Sequence, residues 1–402
     1  MNQGEAPKIF LSAGEASGEH YGERLIPALR SLCPGVQLFG LGGRRMEALG
    51  FRPIVRSEDV AVMGITEVVR HLPRIYREYR RLRASIAAER PAAAILIDFP
   101  DVNLSLARHL KRQNVPVVYF VSPQLWAWKK YRIRNVQRYV DRMLTIFPFE
   151  ERFYHDHGVH AEFVGHPLAG LQPPRIPRDD FARQAGLDPS RTWVGLLPGS
   201  RSKEIRLNLP EMVRAAALLE RQTGQGFDFL LPLAPTLTRP QRDHIRALLA
   251  ETLAPEAPQP RIVIVEDARA ALHHARASIV ASGTATVEAA LIGNPFLVVY
   301  RISPLSYAVA KRVVDVPHVA MVNLIAGKRI VPELIQGDFT ADRAVSQLRM
   351  LLDNDEARAR MQAGLRQVGD LLRGEQDAIA RVAQVTCQFL RPSPETRQSQ
   401  VL

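Results

Sequence analysis

A carboxylate at the end of an apolar run is the first feature of this chain that could move a proton. It lies in Leu96-Ile97-Asp98-Phe99-Pro100-Asp101-Val102-Asn103, where a buried strand would deliver Asp98 to the rim of a sheet. A hydroxyl that attacks a sugar carbon needs a base to take its proton, and a carboxylate suits that task. Asp101 or Asn103 is expected to cap the helix that follows. Asp98 stands too early to be that cap and is the better base.

Three further loops have the composition of phosphate seats. Leu197-Pro198-Gly199-Ser200-Arg201-Ser202-Lys203-Glu204 places glycine, hydroxyl and arginine directly after a strand pattern. There Arg201 would pair with phosphate oxygens while a helix start supplies N–H groups. Val280-Ala281-Ser282-Gly283-Thr284-Ala285-Thr286-Val287-Glu288 repeats the theme, with Glu288 early in the next helix and able to accept from ribose hydroxyls. A glutamate there also stabilises a helix by itself. Two such loops in one half of the chain favour a nucleotide diphosphate. In the first half, Ser12-Ala13-Gly14-Glu15-Ala16-Ser17-Gly18-Glu19-His20 again joins a strand to a helix through small residues. Gly14 and Ser17 would let a ligand approach the backbone, and Glu15 joins Asp98 as a catalytic candidate. Neither a Walker loop nor G-x-G-x-x-G is present.

Aromatic and basic residues meet in Val121-Ser122-Pro123-Gln124-Leu125-Trp126-Ala127-Trp128-Lys129-Lys130, with Arg132 and Arg134 behind. Trp126 and Trp128 would suit a sugar or acyl ligand that carries phosphate, a nucleic acid, or simply a core. His273-His274 and His155-x-His157 are poorly spaced for a metal and read as surface or capping residues. No metal and no cofactor is expected. Cys33 and Cys387 stand far apart without metal spacing, which argues against a disulfide or zinc site and for the reducing cytosol.

These loops need elements to carry them. Short β-branched runs at 9–12, 36–41, 94–97, 117–121, 143–146 and 161–164 alternate with amphipathic stretches such as 20–32 and 103–113. That alternation predicts βαβ units and a parallel sheet. The proline-rich residues 171–177 interrupt it as a stiff linker. It restarts at 194–197, 228–231, 262–265, 278–280 and 296–300. The fold class is therefore α/β with two Rossmann-like domains facing an interdomain cleft, residues 1–170 and 171–370. A C-terminal helix over 371–390 would return to the first domain, and 391–402 reads as a frayed tail. Length agrees: 402 residues suffice for two cores. No signal peptide or apolar run of about 20 residues appears. The net charge of +12 suits nucleic acid, anionic lipid or phosphorylated substrates, without choosing among them.

An ordered set of motifs narrows the choice. Besides the loops above, Ser122-Pro123-x-x-Trp126-Ala127-Trp128, Phe163-x-Gly165-His166-Pro167, Met63-Gly64-Ile65-x-Glu67-Val68 and Asn323-Leu324-Ile325-Ala326-Gly327 occur in sequence. Together, over about residues 8–385, the chain resembles the lipid A disaccharide synthase family. The resemblance implies a GT-B fold and an inverting transfer. A diacylglucosamine would pass from UDP to the 6-hydroxyl of 2,3-diacylglucosamine 1-phosphate (lipid X). It implies that Asp98 is the essential carboxylate and that Arg201 contacts UDP, with Ser200, Ser282, Gly283, Thr284, Ala285 and Glu288 around the nucleotide. Family members can form dimers that exchange C-terminal elements, so Asn323 would serve a partner subunit's site. One departure is visible: the first motif usually continues Gly-Asp, where this chain has Gly18-Glu19.

The family reading also gives the basic excess a use. A helix from Pro73 would place Arg74, Arg77 and Arg81 on one stripe and Ile75, Tyr79, Leu82 and Ile86 on another. With Met63, Val68, Val69 and Leu72 just before it, this region would dock peripherally on the inner membrane leaflet and receive acyl chains. An ordinary amphipathic helix would look the same. The competing readings are another GT-B UDP-sugar enzyme such as a UDP-N-acetylglucosamine 2-epimerase, and a noncatalytic nucleotide-sugar binder. A nucleic-acid binder lacks any recognition motif.

Overall fold

The computed structural model describes residues 6–58, 65–234, 237–252, 259–313 and 316–390. The chain divides into two compact units, Met1–Gly170 with Leu372–Leu402, and Leu171–Leu371.

In the first unit seven strands form one sheet: β1 (Lys8–Ala13), β2 (Gln37–Gly42), β3 (Arg52–Arg56), β4 (Ala93–Ile97), β5 (Val117–Phe120), β6 (Arg142–Thr145) and β7 (Ala161–Phe163). Their order is β3-β2-β1-β4-β5-β6-β7, and every pairing is parallel. β4 is buried along its whole length, as the unbroken apolar run Ala-Ala-Ile-Leu-Ile requires of a strand covered on both faces. The helices are α1 (Ala16–Leu32), α2 (Arg44–Ala48), α3 (Ile65–Glu89), α4 (Pro100–Arg112), α5 (Ile133–Tyr139) and α6 (Pro148–His155). Leu82 and Ile86 of α3, Leu106 and Leu110 of α4, Val136 of α5 and Tyr154 of α6 share one core with the sheet.

β3 escaped the strand pattern because Arg52 and Pro53 make it polar and short, as edge strands tend to be. α3 begins at Ile65 and carries Pro73 inside it, rather than starting there. Proline at that point removes one helical hydrogen bond, and the anchoring of Leu82 and Ile86 in the core keeps the rest in place. Residues 391–402, read as a tail, lie outside the described residues.

The C-terminal helix Ala378–Gln388 belongs to this unit and packs along α1. Its path explains the Gly165-His166-Pro167 motif. A Cβ on Gly165 would sit 2.5 Å from the nitrogen of Gly374, so only glycine lets the returning chain pass. His166 N–H donates to Leu372 (2.8 Å), Arg24 bridges Pro167 and Asp377, and Arg381 pairs with Glu162. Cys33 and Cys387, expected to stay separate, are joined in a disulfide across 354 residues, with Cα atoms 6.5 Å apart. Their spacing in sequence held no trace of this, because the pair is brought together only by the docking of the last helix on the first.

The second unit repeats the plan. β8 (Thr192–Leu197), β9 (Phe227–Pro232), β10 (Arg261–Val265), β11 (Ala277–Ala281), β12 (Phe296–Tyr300) and β13 (Glu333–Ile335) form a parallel sheet in the order β10-β9-β8-β11-β12-β13. Its helices include α7 (Arg178–Ala185), α8 (Ser202–Thr223), α9 (Arg239–Thr252), α10 (Ala268–His274) and α11 (Thr284–Ile292). The short edge strand β13 was also missed. His274, expected at the surface, is half-buried against Phe181 and Trp193 and contacts the Ile176 carbonyl at 3.0 Å. Arg178 lies over the Trp193 ring, 3.5 Å from its centroid.

Candidate active site

In an open parallel sheet, ligands bind outside the carboxyl ends of two neighbouring strands whose connections leave in opposite directions. In the first unit those strands are β1 and β4, and in the second they are β8 and β11. Four of the five loops singled out in the sequence follow these four strands, and the fifth, from Val121 to Lys130, follows β5.

In the first unit, Ala13 pairs with Ile97, so Gly14 and Asp98 emerge side by side. Asp98 and Phe99 are both left-handed, each with φ 48°, a conformation that costs a non-glycine residue about 1–3 kcal/mol. Val121, at the end of the adjacent β5, is left-handed too, with φ 63°. The Phe99 ring folds over Gly14, where a Cβ would lie 2.3 Å from ring carbon Cδ1.

Buried side chains hold this turn. Asn103 is wholly buried, and its amide nitrogen donates to the carbonyls of Ile97 (3.1 Å) and Asp98 (2.7 Å). Its oxygen accepts from Ser12 Oγ at 2.6 Å. Tyr119 Oη donates to the Asp98 carbonyl at 2.7 Å. Burial, reinforced by the charge of Asp98, pushes the Tyr119 phenol well up, so it stays a donor. Neither Asp101 nor Asn103 caps α4, whose N-cap is Phe99 with no side-chain bond. Asp101 turns outward to Arg132, with Lys129 at 3.9 Å.

Glu15 is the N-cap residue of α1 and makes no capping bond. Ser17 lies in the first turn of that helix. Glu19, the departure from the usual motif, accepts from Arg45 N–H and Ser57 Oγ, and so ties the start of α2 to α1.

The two tryptophans separate. Trp126 Nε1 donates to Glu150 Oε1 at 3.1 Å and meets Phe149 edge to face. The same Glu150 oxygen accepts from Ser122 Oγ at 2.7 Å, and Oε2 accepts from Phe147 N–H. Burial raises the Glu150 carboxyl to about 7 against the pull of these donors. Trp128 is 43% exposed, with Lys129 Nζ 4.1 Å from its ring centroid. Glu150 was not found from sequence. Its place three residues after Phe147, at a helix start, was the available signal.

In the second unit Gly199, with φ 120°, turns the chain from β8 into α8. The cradle is partly filled from within. Glu204 Oε2 accepts from the N–H groups of Ser200 (3.2 Å) and Arg201 (3.4 Å), and Oε1 pairs with Arg201 at 3.2 Å. Arg201 is 69% exposed, so its guanidinium faces solvent as well as Glu204. Asn208 donates to the Pro198 carbonyl, while its own carbonyl oxygen and Ser202 Oγ are buried without a hydrogen-bond partner among the described residues.

The second loop is more open. Gly283, with φ 152°, is the N-cap of α11, and a Cβ there would meet no atom of the described residues within 4 Å. Thr284 and Ala285 begin the helix, whose first N–H groups lack an intrahelical acceptor. Ser282 Oγ donates to the Val319 carbonyl at 3.3 Å. Burial raises the Glu288 carboxyl, opposed by Arg269 and assisted by Asp267.

Asn323 is fully buried and its amide is fully used. It donates to the Val331 carbonyl and Glu333, and accepts from the N–H groups of Ile330 and Val331. In this chain it staples a loop and has no hydrogen-bonding capacity left for a ligand.

On α3, Arg74, Arg77 and Arg81 are exposed while Leu82 and Ile86 face the core. Met63 lies outside the described residues, as do the side chains of Val68, Val69 and Leu72. No described helix is long and apolar enough to cross a membrane.

The sequence matches the family model described as "Lipid-A-disaccharide synthetase" over residues 9–386. It is 65% identical to the lipid-A-disaccharide synthase of Acidobacterium capsulatum over 392 residues, covering 96% of this chain and 97% of that protein. Among solved structures it is similar to the calicheamicin glycosyltransferase CalG4, with TM-score 0.57 and 16% identity over 97% of this chain and 100% of the other. It is equally similar to the UDP-GlcNAc 2-epimerase of Neisseria meningitidis bound to UDP-GlcNAc, with TM-score 0.59 and 12% identity over 95% and 99%. At such identities the structures show a shared fold only.

Proposed function

The chain belongs to the lipid-A-disaccharide synthetase family, a glycosyltransferase family that forms the lipid A disaccharide, and from that premise we propose how its two switch points divide the reaction. The first unit holds the acceptor, lipid X, and the second holds the donor, UDP-2,3-diacylglucosamine. Asp98 takes the proton of the acceptor 6-hydroxyl as that oxygen attacks the anomeric carbon of the donor. The bond to the diphosphate breaks, UDP leaves with the electron pair, and the new linkage is β-1,6. The observation that carries this reading is the delivery of Asp98, on a strained turn beside Gly14, to the switch point of the first sheet.

The donor's diphosphate is held by Arg201 and by the start of α11 at Gly283, Thr284 and Ala285, where helix N–H groups and the helix dipole favour an anion. Ser200 and Ser282 flank it, and Glu288 receives the ribose hydroxyls. Charge that develops on the departing UDP is thereby met by fixed donors. Glu15, Gly14 and Ser17 border the reacting sugar. Trp126 and Trp128 line the acceptor side.

The chain works at the inner-membrane surface, docked through α3 and the residues before it. Support comes from the exposed Arg74, Arg77 and Arg81 on the face opposite its core contacts. Replacing all three by glutamate is expected to abolish binding to anionic liposomes, and unchanged binding would remove this part of the reading.

The deciding assay is UDP release from UDP-2,3-diacylglucosamine in mixed micelles, with and without lipid X. Release should require lipid X and fall about 10³-fold in Asp98→Asn, within the range typical of a lost general base. Release without an acceptor would point to hydrolysis or epimerase-type elimination instead.

A further inference from the structure

The Asp98 side chain is short, so its carboxylate goes where the backbone points it. That backbone is left-handed at two successive non-glycine residues, with a third, Val121, on the neighbouring strand. Left alone, residues 98 and 99 would relax toward ordinary β or right-handed geometry and swing the carboxylate away. The surroundings prevent this. The Asp98 carbonyl accepts two hydrogen bonds, from Asn103 Nδ2 and Tyr119 Oη, and its N–H donates to the Phe120 carbonyl at 3.0 Å. Asn103 is itself fixed at its oxygen by Ser12 of β1. The turn is thus pinned to β1, to β5 and to the first turns of α4 at once.

We propose that Asn103 and Tyr119 are positioning residues, which aim the Asp98 carboxylate by holding the Asp98–Phe99 turn in its left-handed form. Asn103 is wholly buried and Tyr119 lies in the core, so neither touches substrate. Both act through the backbone of residue 98, where a displacement on the order of 1 Å is enough to cost about 10²-fold in rate. Buried, fully satisfied networks of this kind are what keeps a strained conformation in place. The inference rests on the reading of Asp98 as the base.

Tyr119→Phe removes one of the two donors to the Asp98 carbonyl and keeps the shape of the core. In the UDP-release assay with lipid X it is expected to lower kcat at least tenfold. The KM values of both substrates and the affinity for UDP should change less than twofold. A double-mutant cycle distinguishes aiming from general loosening. In an Asp98→Asn background, followed under single-turnover conditions, Tyr119→Phe should cost less than twofold more. An equal drop in both backgrounds would overturn the proposal, because the effect would then not pass through Asp98. An unchanged kcat in Tyr119→Phe, with Asp98→Asn inactive, would overturn it while leaving the base assignment standing. A fully active Asp98→Asn would overturn both.

Discussion

The two switch points build their turns differently on the same sheet plan. At the rim of the first sheet, the backbone turns through non-glycine residues forced left-handed at Asp98, Phe99 and Val121, and buried side chains clamp it. At the rim of the second, the turns at Gly199 and Gly283 use glycines, and an exposed arginine stands beside them. On the proposed division of the reaction, proton transfer needs one side chain held within a fraction of an ångström, and the strained, clamped turn of the first site would supply that rigidity. A diphosphate is large and is held mainly by backbone N–H groups and charge, so on the same proposal the glycines of the second site would let it come close.

That contrast can be broken at several points. The largest effect is expected at Gly14→Val, because even the first carbon of the new side chain would lie 2.3 Å from the Phe99 ring. Displacing Phe99 disturbs the turn that carries Asp98, so turnover should fall on the order of 100-fold or more. UDP affinity, measured by calorimetry, should stay within twofold. Arg201→Met comes next. Loss of a charge-assisted contact of about 1.5–3 kcal/mol should weaken UDP roughly 10- to 100-fold, with saturated turnover much less affected. If Arg201→Met instead left UDP affinity intact and lowered kcat, the division of labour would be wrong.

Gly283→Ala sharpens the comparison because no atom of the described residues lies within 4 Å of the added Cβ. Any loss must come from the φ of 152° that alanine rarely adopts or from a Cβ standing where the diphosphate approaches, and about tenfold weaker UDP binding is expected, the equivalent of about 1.4 kcal/mol. The smallest effect on turnover is expected at Glu150→Gln, whose consequence lies in stability. The buried carboxyl is raised from 4.5 to about 7, so the folded state binds a proton that the unfolded chain releases between those values. Stability from this group is therefore present below pH 4.5 and lost as pH rises through 7, a change on the order of 3 kcal/mol. His166, held down to about 3 by burial, runs the other way: its contribution is lost as pH falls below 6.5. Urea unfolding of wild type and Glu150→Gln at pH 5 and pH 8 isolates the first effect, because the His166 contribution is common to both. Parallel pH dependences in the two proteins would contradict the buried-proton account.

Much of the fold was legible because parallel strands buried on both faces are plain apolar runs. β1, β4, β8 and β11 all read that way, and the loops that follow them were found with them. β3 and β13 were not legible, since edge strands carry Arg52, Pro53 and Glu333 where a core strand would carry valine or isoleucine. Side-chain roles divided in a similar way. Arg201 was readable from its loop, yet nothing marked Glu204 as the carboxylate already seated on the same N–H groups except its capping spacing. Asn103 was read as a cap and is a clamp, and Asn323, read as a ligand, staples a loop within this chain.

Local patterning alone thus determined that this chain makes two parallel α/β sheets, where their carboxyl-end loops fall, and which residue types those loops present. Which of those residues stay at the surface was decided by tertiary packing. Asn103 meets Ser12 across 91 positions, Arg381 meets Glu162 across 219, and Cys33 meets Cys387 across 354. Periodicity and loop composition are fixed by neighbours a few residues away, and so are written in sequence. A partner brought in by the docking of a distant strand or helix leaves no mark on either local stretch, and only the folded chain supplies it.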